Sequence, residues 1–119
     1  MNDEEAVAFV PDLGDNRDLP DEEQIWAEIL PMTGQELRTY QRVMMNAKAN
    51  SKLAFEKAEK VVRRIMKERV VAVHNYADIK DVPIEDGEQV YDRGEPDMVD
   101  ALYTGLTQIS TLKAGLRKK

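Results

Sequence analysis

Few residues of this chain have the types and spacing that chemistry requires. His74 is the only histidine and cysteine is absent, which excludes thiolate zinc sites and thiol nucleophiles and leaves the histidine without partners for an N/S metal site. Four acids, Asp81, Glu85, Asp86 and Glu88, lie close together, but they lack the spacing of a calcium loop. We interpret His74 as a surface or packing residue and the acids as a solvated loop. We therefore predict a protein that is not an enzyme and that binds no metal or cofactor.

Charged residues alternate in blocks along the chain. Eleven acids accompany Arg17 alone in residues 1–36, eight basic and three acidic residues lie in 48–69, and nine acids accompany two basic residues in 70–100. Blocks of opposite sign could attract one another within the chain or between copies, but we favour a solvated helix face for the basic block. Its acidic flanks would repel phosphate. Nucleic-acid binding is accordingly the least favoured function.

The length and hydropathy of the chain fit one domain outside the membrane. A chain of 119 residues buries enough surface for a single core. No run approaches the roughly eighteen consecutive apolar residues of a membrane span, and residues 1–9 start acidic where a signal peptide starts basic. We predict neither membrane insertion nor export.

Residues 1–24 are predicted to form a flexible N-terminal arm, and residues 25–119 a single helical domain. Within the arm, the β-capable run 6–10 ends at a proline and is followed by polar turn residues. Such a segment lacks the apolar density to fold alone, so it would stay mobile or add itself as a strand to another surface. The domain then opens with a short strand over residues 25–30, which Pro31 ends.

A long helix is predicted over residues 34–69, and it could bend near residues 46–51. Thr33 and Glu36 have the spacing of a reciprocal capping box, and neither glycine nor proline interrupts residues 35–82. A largely apolar stripe follows at alternating spacings of three and four; its members are Leu37, Tyr40, Met44, Ala47, Ser51, Ala54, Ala58, Val61, Ile65 and Glu68. A helix of about thirty-five residues spans roughly 50 Å, which exceeds a compact core of this size. The stripe would therefore meet a partner, a second copy or the chain's own C-terminal helix.

The remaining elements complete a mainly α fold. Residues 70–73 fit either a helix extension or a strand, and turn residues around Asp86-Gly87 predict an irregular loop or small hairpin over residues 74–94. A C-terminal helix is predicted over residues 96–116, with proline at its first position and acids near its start. The expected fold is thus a long central helix plus a C-terminal helix, with short N-terminal strands and a small irregular or hairpin segment.

Three segments of the chain follow one another in a characteristic order. They are Phe9-Val10-Pro11 with residues 17–24, the strand-to-helix passage 28–36 (EILPMTGQE), and Asp86-Gly87-Glu88 with residues 97–102. Together they resemble small tail assembly chaperones and related tail-morphogenesis proteins of long-tailed bacteriophages, in which a strand-like opening leads through a P-L-T-G-R-E-like turn into a long helix. Met32 replaces the usual leucine and Gln35 the frequent arginine. The capping pair Thr33 and Glu36 is kept.

The resemblance implies a non-catalytic protein in the cytoplasm of the infected host cell. It would bind the tape measure protein, multiply along it as a homo-oligomer, recruit the major tail protein that forms the tail tube, and be absent from the mature virion. Members of the family are often also made as a longer frameshifted form. The alternative is a permanent virion component, such as a head-tail connector or a minor tail protein.

The residues predicted to bind protein come from the arm, the strand and the stripe. The arm would dock on a neighbouring subunit by strand addition or groove burial, and the stripe would meet a partner helix. These residues are Phe9, Val10, Trp26, Leu37, Tyr40, Met44, Ala47, Ala54, Ala58, Val61 and Ile65.

Overall fold

The structure, a computed structural model, describes residues 6–49 and 52–117. The described strands and helices are, in chain order, β1 (Val7–Phe9), β2 (Trp26–Ile29), α1 (Gly34–Ala49), α2 (Lys52–Arg69), β3 (Val70–His74), α3 (Gly87–Arg93) and α4 (Pro96–Arg117). The mainly helical class with a few short strands is confirmed. Among the described helices, none combines the length and apolar character needed to cross a bilayer.

The three strands form one antiparallel sheet with β2 in its centre. Buried and half-buried residues alternate along β2, so Ala27 and Ile29 point into the core while Trp26 and Glu28 point away from it. Phe9 of β1 lies opposite Ala27 and shares this core-facing side. The strand predicted over residues 25–30 is confirmed.

The predicted N-terminal arm over residues 1–24 is wrong for its described part, because residues 6–24 are built into the domain; residues 1–5 lie outside the described range. β1 pairs with β2 of the same chain. Asn16 is 3% exposed, and its Nδ2 donates to the carbonyls of Pro11 and Ile25, each at 3.0 Å. Its Oδ1 accepts from the Ile25 N–H at 2.8 Å. This one side chain satisfies backbone groups on both sides of the connection between β1 and β2.

The single helix predicted over residues 34–69 is also wrong, because two helices occupy this stretch. The capping box does form: the Thr33 N–H donates to Oε1 of Glu36 at 2.9 Å, and the Glu36 N–H donates to Oγ1 of Thr33 at 3.1 Å. Glu36 also forms an ion pair with Arg69 at the end of α2. A straight helix would hold these two residues about 50 Å apart. Since they touch, α1 and α2 run antiparallel as a hairpin, and they pack along each other.

The loop or hairpin predicted over residues 74–94 is found in its first part, where Ala77 pairs antiparallel with Pro83 and the Ile84 N–H donates to the Tyr76 carbonyl at 3.0 Å. The segments on either side are more regular than predicted. The undecided residues 70–73 are strand, as part of β3, which buries Val70 and Val73. The expected hairpin at Asp86-Gly87 is replaced by α3, because Oδ1 of Asp86 accepts from the Gln89 N–H at 2.9 Å and caps the helix.

The core lies where α4 and the helical hairpin meet the sheet. Its buried apolar members are Ala27, Ile29, Met32, Leu37, Ile65, Met66, Val70, Val73, Ile84, Val90, Met98, Leu102 and Leu106. Gly105 lets α4 approach the sheet closely, since an added Cβ would stand 2.5 Å from the ring of Phe9. Further along α4, buried Oγ of Ser110 accepts from the Met32 N–H at 2.9 Å. The helix predicted over residues 96–116 is confirmed.

Candidate protein-binding surfaces

Most of the predicted apolar stripe is used inside the protein. Leu37 and Ile65 are 8% and 2% exposed and belong to the core, so their prediction as partner-binding residues is wrong. Tyr40 and Val61 pack against the same core, and the Tyr40 ring lies 6.1 Å from that of Tyr103 on α4. The stripe therefore meets the chain's own elements, one of the alternatives that the sequence left open.

The predicted binding residues of the N-terminal region also have partners within the chain. Phe9 packs against the core, and the carbonyl of Val10 accepts from Nε of Arg17 at 3.0 Å. Trp26 stacks on His74 with ring centroids 4.1 Å apart. Strand addition by this segment takes place within the molecule, and Trp26 lies on the outer face of the sheet.

Four predicted residues of the stripe have other positions. Met44 on α1 and Ala58 on α2 line a pocket between the helices. Ala54 is half-buried. The side chain of Ala47 lies outside the described part of the chain.

The pocket, which we call the acidic groove, has a volume of about 640 Å³. Its walls come from α1, α2, the end of α3 and the first half of α4; they are Met44, Ala58, Glu59, Val62, Tyr91, Gly94, Pro96, Val99, Asp100 and Tyr103. This volume lies within the range of ordinary ligand-binding clefts, which are mostly apolar with a few polar groups. The acidic groove could therefore receive apolar side chains from another molecule.

Two carboxylates and two phenols supply the polarity of the acidic groove. Neither Glu59 nor Asp100 forms an ion pair with any described residue, and Glu59 only accepts a long hydrogen bond from the Tyr91 hydroxyl at 3.4 Å. The hydroxyl of Tyr103 is buried and has no hydrogen-bond partner within the described chain. Burial raises the pKa of Tyr103, and the nearby Tyr91, Tyr40 and Asp100 raise it further. A buried, unsatisfied hydroxyl is unfavourable.

The basic block of the sequence is partly neutralised by α3. Arg63 donates through Nε and a second nitrogen to the carboxylate of Asp92, at 3.0 and 2.8 Å, and contacts Glu88 at 2.9 Å. Lys67 lies 3.9 Å from Glu88. The hydrogen bond from Arg63 lowers the pKa of Asp92, so this carboxylate stays ionised and holds the arginine. Cations engaged in this way are less available to phosphate, which weighs against nucleic-acid binding.

Two exposed large apolar side chains lie toward the free end of the helical hairpin. Met45 near the end of α1 and Leu53 near the start of α2 are 71% and 61% exposed. They are adjacent to the undescribed residues 50–51 and remote from the Glu36–Arg69 pair at the base. Exposed large apolar side chains on neighbouring helix ends favour contact with another molecule.

The histidine considered for chemistry, His74, contacts neighbouring side chains of the sheet. Nε2 of His74 lies 2.7 Å from Oε2 of Glu28 on the sheet's outer face. Among the described residues, no three histidine or acidic side chains are placed to hold a metal ion. The sequence did not indicate the α4 wall of the acidic groove, because only the fold brings Asp100 and Tyr103 opposite Met44.

Comparison of the chain with protein-family models, with curated proteins and with solved structures finds no match.

Proposed function

We propose that this protein is a tail assembly chaperone of a long-tailed bacteriophage that binds the tape measure protein and helps to recruit tail tube subunits. It works by protein–protein binding and self-association in the cytoplasm of the infected cell and is left out of the mature virion. The resemblance carried by residues 9–11, 28–36 and 86–88 is the basis for this choice of partners.

The observation that carries the binding role is the exposure of two large apolar side chains toward the free end of the helical hairpin. Met45 and Leu53 project from two helices that the Glu36–Arg69 pair holds together at the base. Methionine is flexible and polarizable, which suits contact with a partner of irregular shape. The apolar face of a tape measure helix would cover these two side chains.

Co-expression with the tape measure protein tests this function. The wild-type chain is expected to keep the tape measure protein soluble and to co-purify with it, whereas the double variant M45K/L53K would lose both properties. The matched control is I79K, because Ile79 is 94% exposed in a loop away from the hairpin. Normal recovery of the tape measure protein with M45K/L53K would contradict the assignment of this surface.

The composition of purified particles separates a chaperone from a virion component. Mass spectrometry is expected to find the chain in infected-cell lysate and not in finished particles. A stoichiometric amount in the particles would instead assign it to the head-tail connector or to a minor tail protein.

A further inference from the structure

The acidic groove has polar groups that are not paired with any described residue. Its floor is apolar, its two carboxylates at Glu59 and Asp100 are without ion pairs among the described residues, and its Tyr103 hydroxyl is buried without a hydrogen bond there. No basic residue is among the ten that line it. A complementary occupant would combine an apolar side chain with adjacent cations that can donate to the two carboxylates.

The C-terminal end of the same chain combines an exposed apolar side chain with adjacent cations. Leu112 on α4 is 66% exposed, although it is a large apolar residue on a helix that otherwise contributes Leu102 and Leu106 to the core. The residues that follow are strongly basic and include one more leucine; they are Lys113, Leu116, Arg117, Lys118 and Lys119. We call residues 112–119 the basic segment.

A molecule cannot place its own basic segment in its own acidic groove. Asp100 and Leu112 belong to one continuous helix, α4, and their separation of twelve residues corresponds to about 18 Å along a rigid axis. The groove is at the first half of that helix and the basic segment at its other end. Only a second molecule can bring the two together.

We propose that the acidic groove of one copy receives the basic segment of a second copy. Leu112 enters the apolar floor, and the cations that follow it pair with Glu59 and Asp100. This contact specifies how the self-association included in the proposed function takes place, and it rests on the proposed function in that respect alone. The contact does not require the tape measure protein. The two surfaces differ, so the contact is head-to-tail, and repeating it generates a ring or an open chain of subunits.

Complementary charge reversal tests the contact in the full-length chain. One variant, E59K/D100K, carries a basic groove, and a second, K113E/R117E/K118E/K119E, carries an acidic segment. Each alone has like charges on both surfaces. In sedimentation velocity from micromolar to millimolar concentration, the wild type is expected to associate, with dissociation favoured by salt, and each variant to associate at least about tenfold more weakly.

An equimolar mixture of the two variants is the decisive measurement. The basic segment of the first fits the unaltered groove of the second, and the acidic segment of the second fits the basic groove of the first. Association is therefore expected to return on mixing. E68K/E85K, which reverses two exposed acids outside the groove, should associate as the wild type does, and circular dichroism should show that all variants keep their helices.

Three results would overturn this inference. The contact would be excluded if the wild-type chain stayed monomeric at millimolar concentration. It would also be excluded if neither charge reversal changed the strength of association. Failure of the mixed variants to associate would exclude the pairing of these two surfaces. If the wild type is monomeric and E59K/D100K no longer binds the tape measure protein, the acidic groove is a binding site for the tape measure protein instead. The M45K/L53K experiment tests a different surface, so its failure would leave the self-association result unaffected.

Discussion

Glu36, in the first turn of α1, and Arg69, the last residue of α2, form an ion pair that closes the base of the helical hairpin. The two side chains are only 24% and 18% exposed. The carboxylate of Glu36 also accepts the Thr33 N–H, so one acid both caps α1 and fixes the position of α2. The hairpin in turn holds Met44 and Ala58 on one side of the acidic groove.

Replacing Glu36 by glutamine is expected to lower the free energy of unfolding by about 1–3 kcal/mol, because the half-buried Arg69 guanidinium loses its counter-charge. Urea unfolding at neutral pH measures this loss. E68Q is the matched control, since Glu68 is exposed and is the neighbour of Arg69 in α2. An equal effect of both variants would show that the ion pair does not hold the hairpin.

The contribution of Glu36 should also depend on pH. Burial of this carboxyl opposes its ionisation, but the hydrogen bond from Thr33 and the Arg69 guanidinium outweigh burial, so its pKa in the folded protein is lowered. A lowered folded pKa gives stability that is present above the unfolded value of about 4.3 and is lost as the pH falls through the folded value. The difference in unfolding free energy between wild type and E36Q should therefore shrink with acidification below about pH 4.

Replacing Tyr103 by phenylalanine should leave the stability of the monomer unchanged or raise it by up to about 1–2 kcal/mol, because it removes a buried hydroxyl without a described partner. Y76F is the control: the hydroxyl of Tyr76 accepts from the Glu95 N–H at 3.0 Å, and its loss should cost about 0.5–1.5 kcal/mol. Thermal unfolding of dilute samples compares the two. A clear destabilisation by Y103F would mean that the hydroxyl is already satisfied in the monomer.

Replacing Gly105 by alanine is expected to destabilise the protein although alanine is the better helix former by about 1 kcal/mol. The new Cβ would lie 2.5 Å from the Phe9 ring, so β1 or α4 must shift. A double-mutant cycle with F9A separates the two effects. In the F9A background the clash is gone, and G105A should become stabilising by up to about 1 kcal/mol; the same sign in both backgrounds would exclude the contact.

Replacing Asn16 by alanine should lower the free energy of unfolding by about 2–4 kcal/mol, because two carbonyls and one N–H lose their partner in a buried position. Neighbouring Asp15 is exposed and its side chain makes no capping hydrogen bond, so D15A should change stability by less than about 0.5 kcal/mol. Hydrogen exchange should show β1 opening earlier in N16A. Unaltered stability of N16A would restore the idea of a detached arm.

The sequence by itself determined the elements whose signals are local. The capping box at Thr33, the strand ended by Pro31 and the proline-initiated helix at Pro96 depend on neighbouring residues, so each could be found from the chain alone. The helical class followed from the same short-range preferences.

Only the tertiary structure decided how the apolar stripe is used. No glycine or proline marks the reversal between α1 and α2, and a period near 3.6 residues continues on both sides, so one helix and two packed helices have the same pattern. The choice between them is made by burial and by the contact of Glu36 with Arg69. The arm was misjudged for a related reason: its few apolar residues are insufficient alone, but β2 and α4 supply the surface that Phe9 needs.

The acidic groove, too, exists only in the folded chain. Met44, Ala58, Tyr91 and Tyr103 come from four separate helices, and no local pattern links them. The sequence determined which side chains this protein has for binding. Long-range packing decided which of these side chains are buried in the core and which, such as Leu112, remain exposed to water. Burial depends on contacts that sequence spacing does not encode.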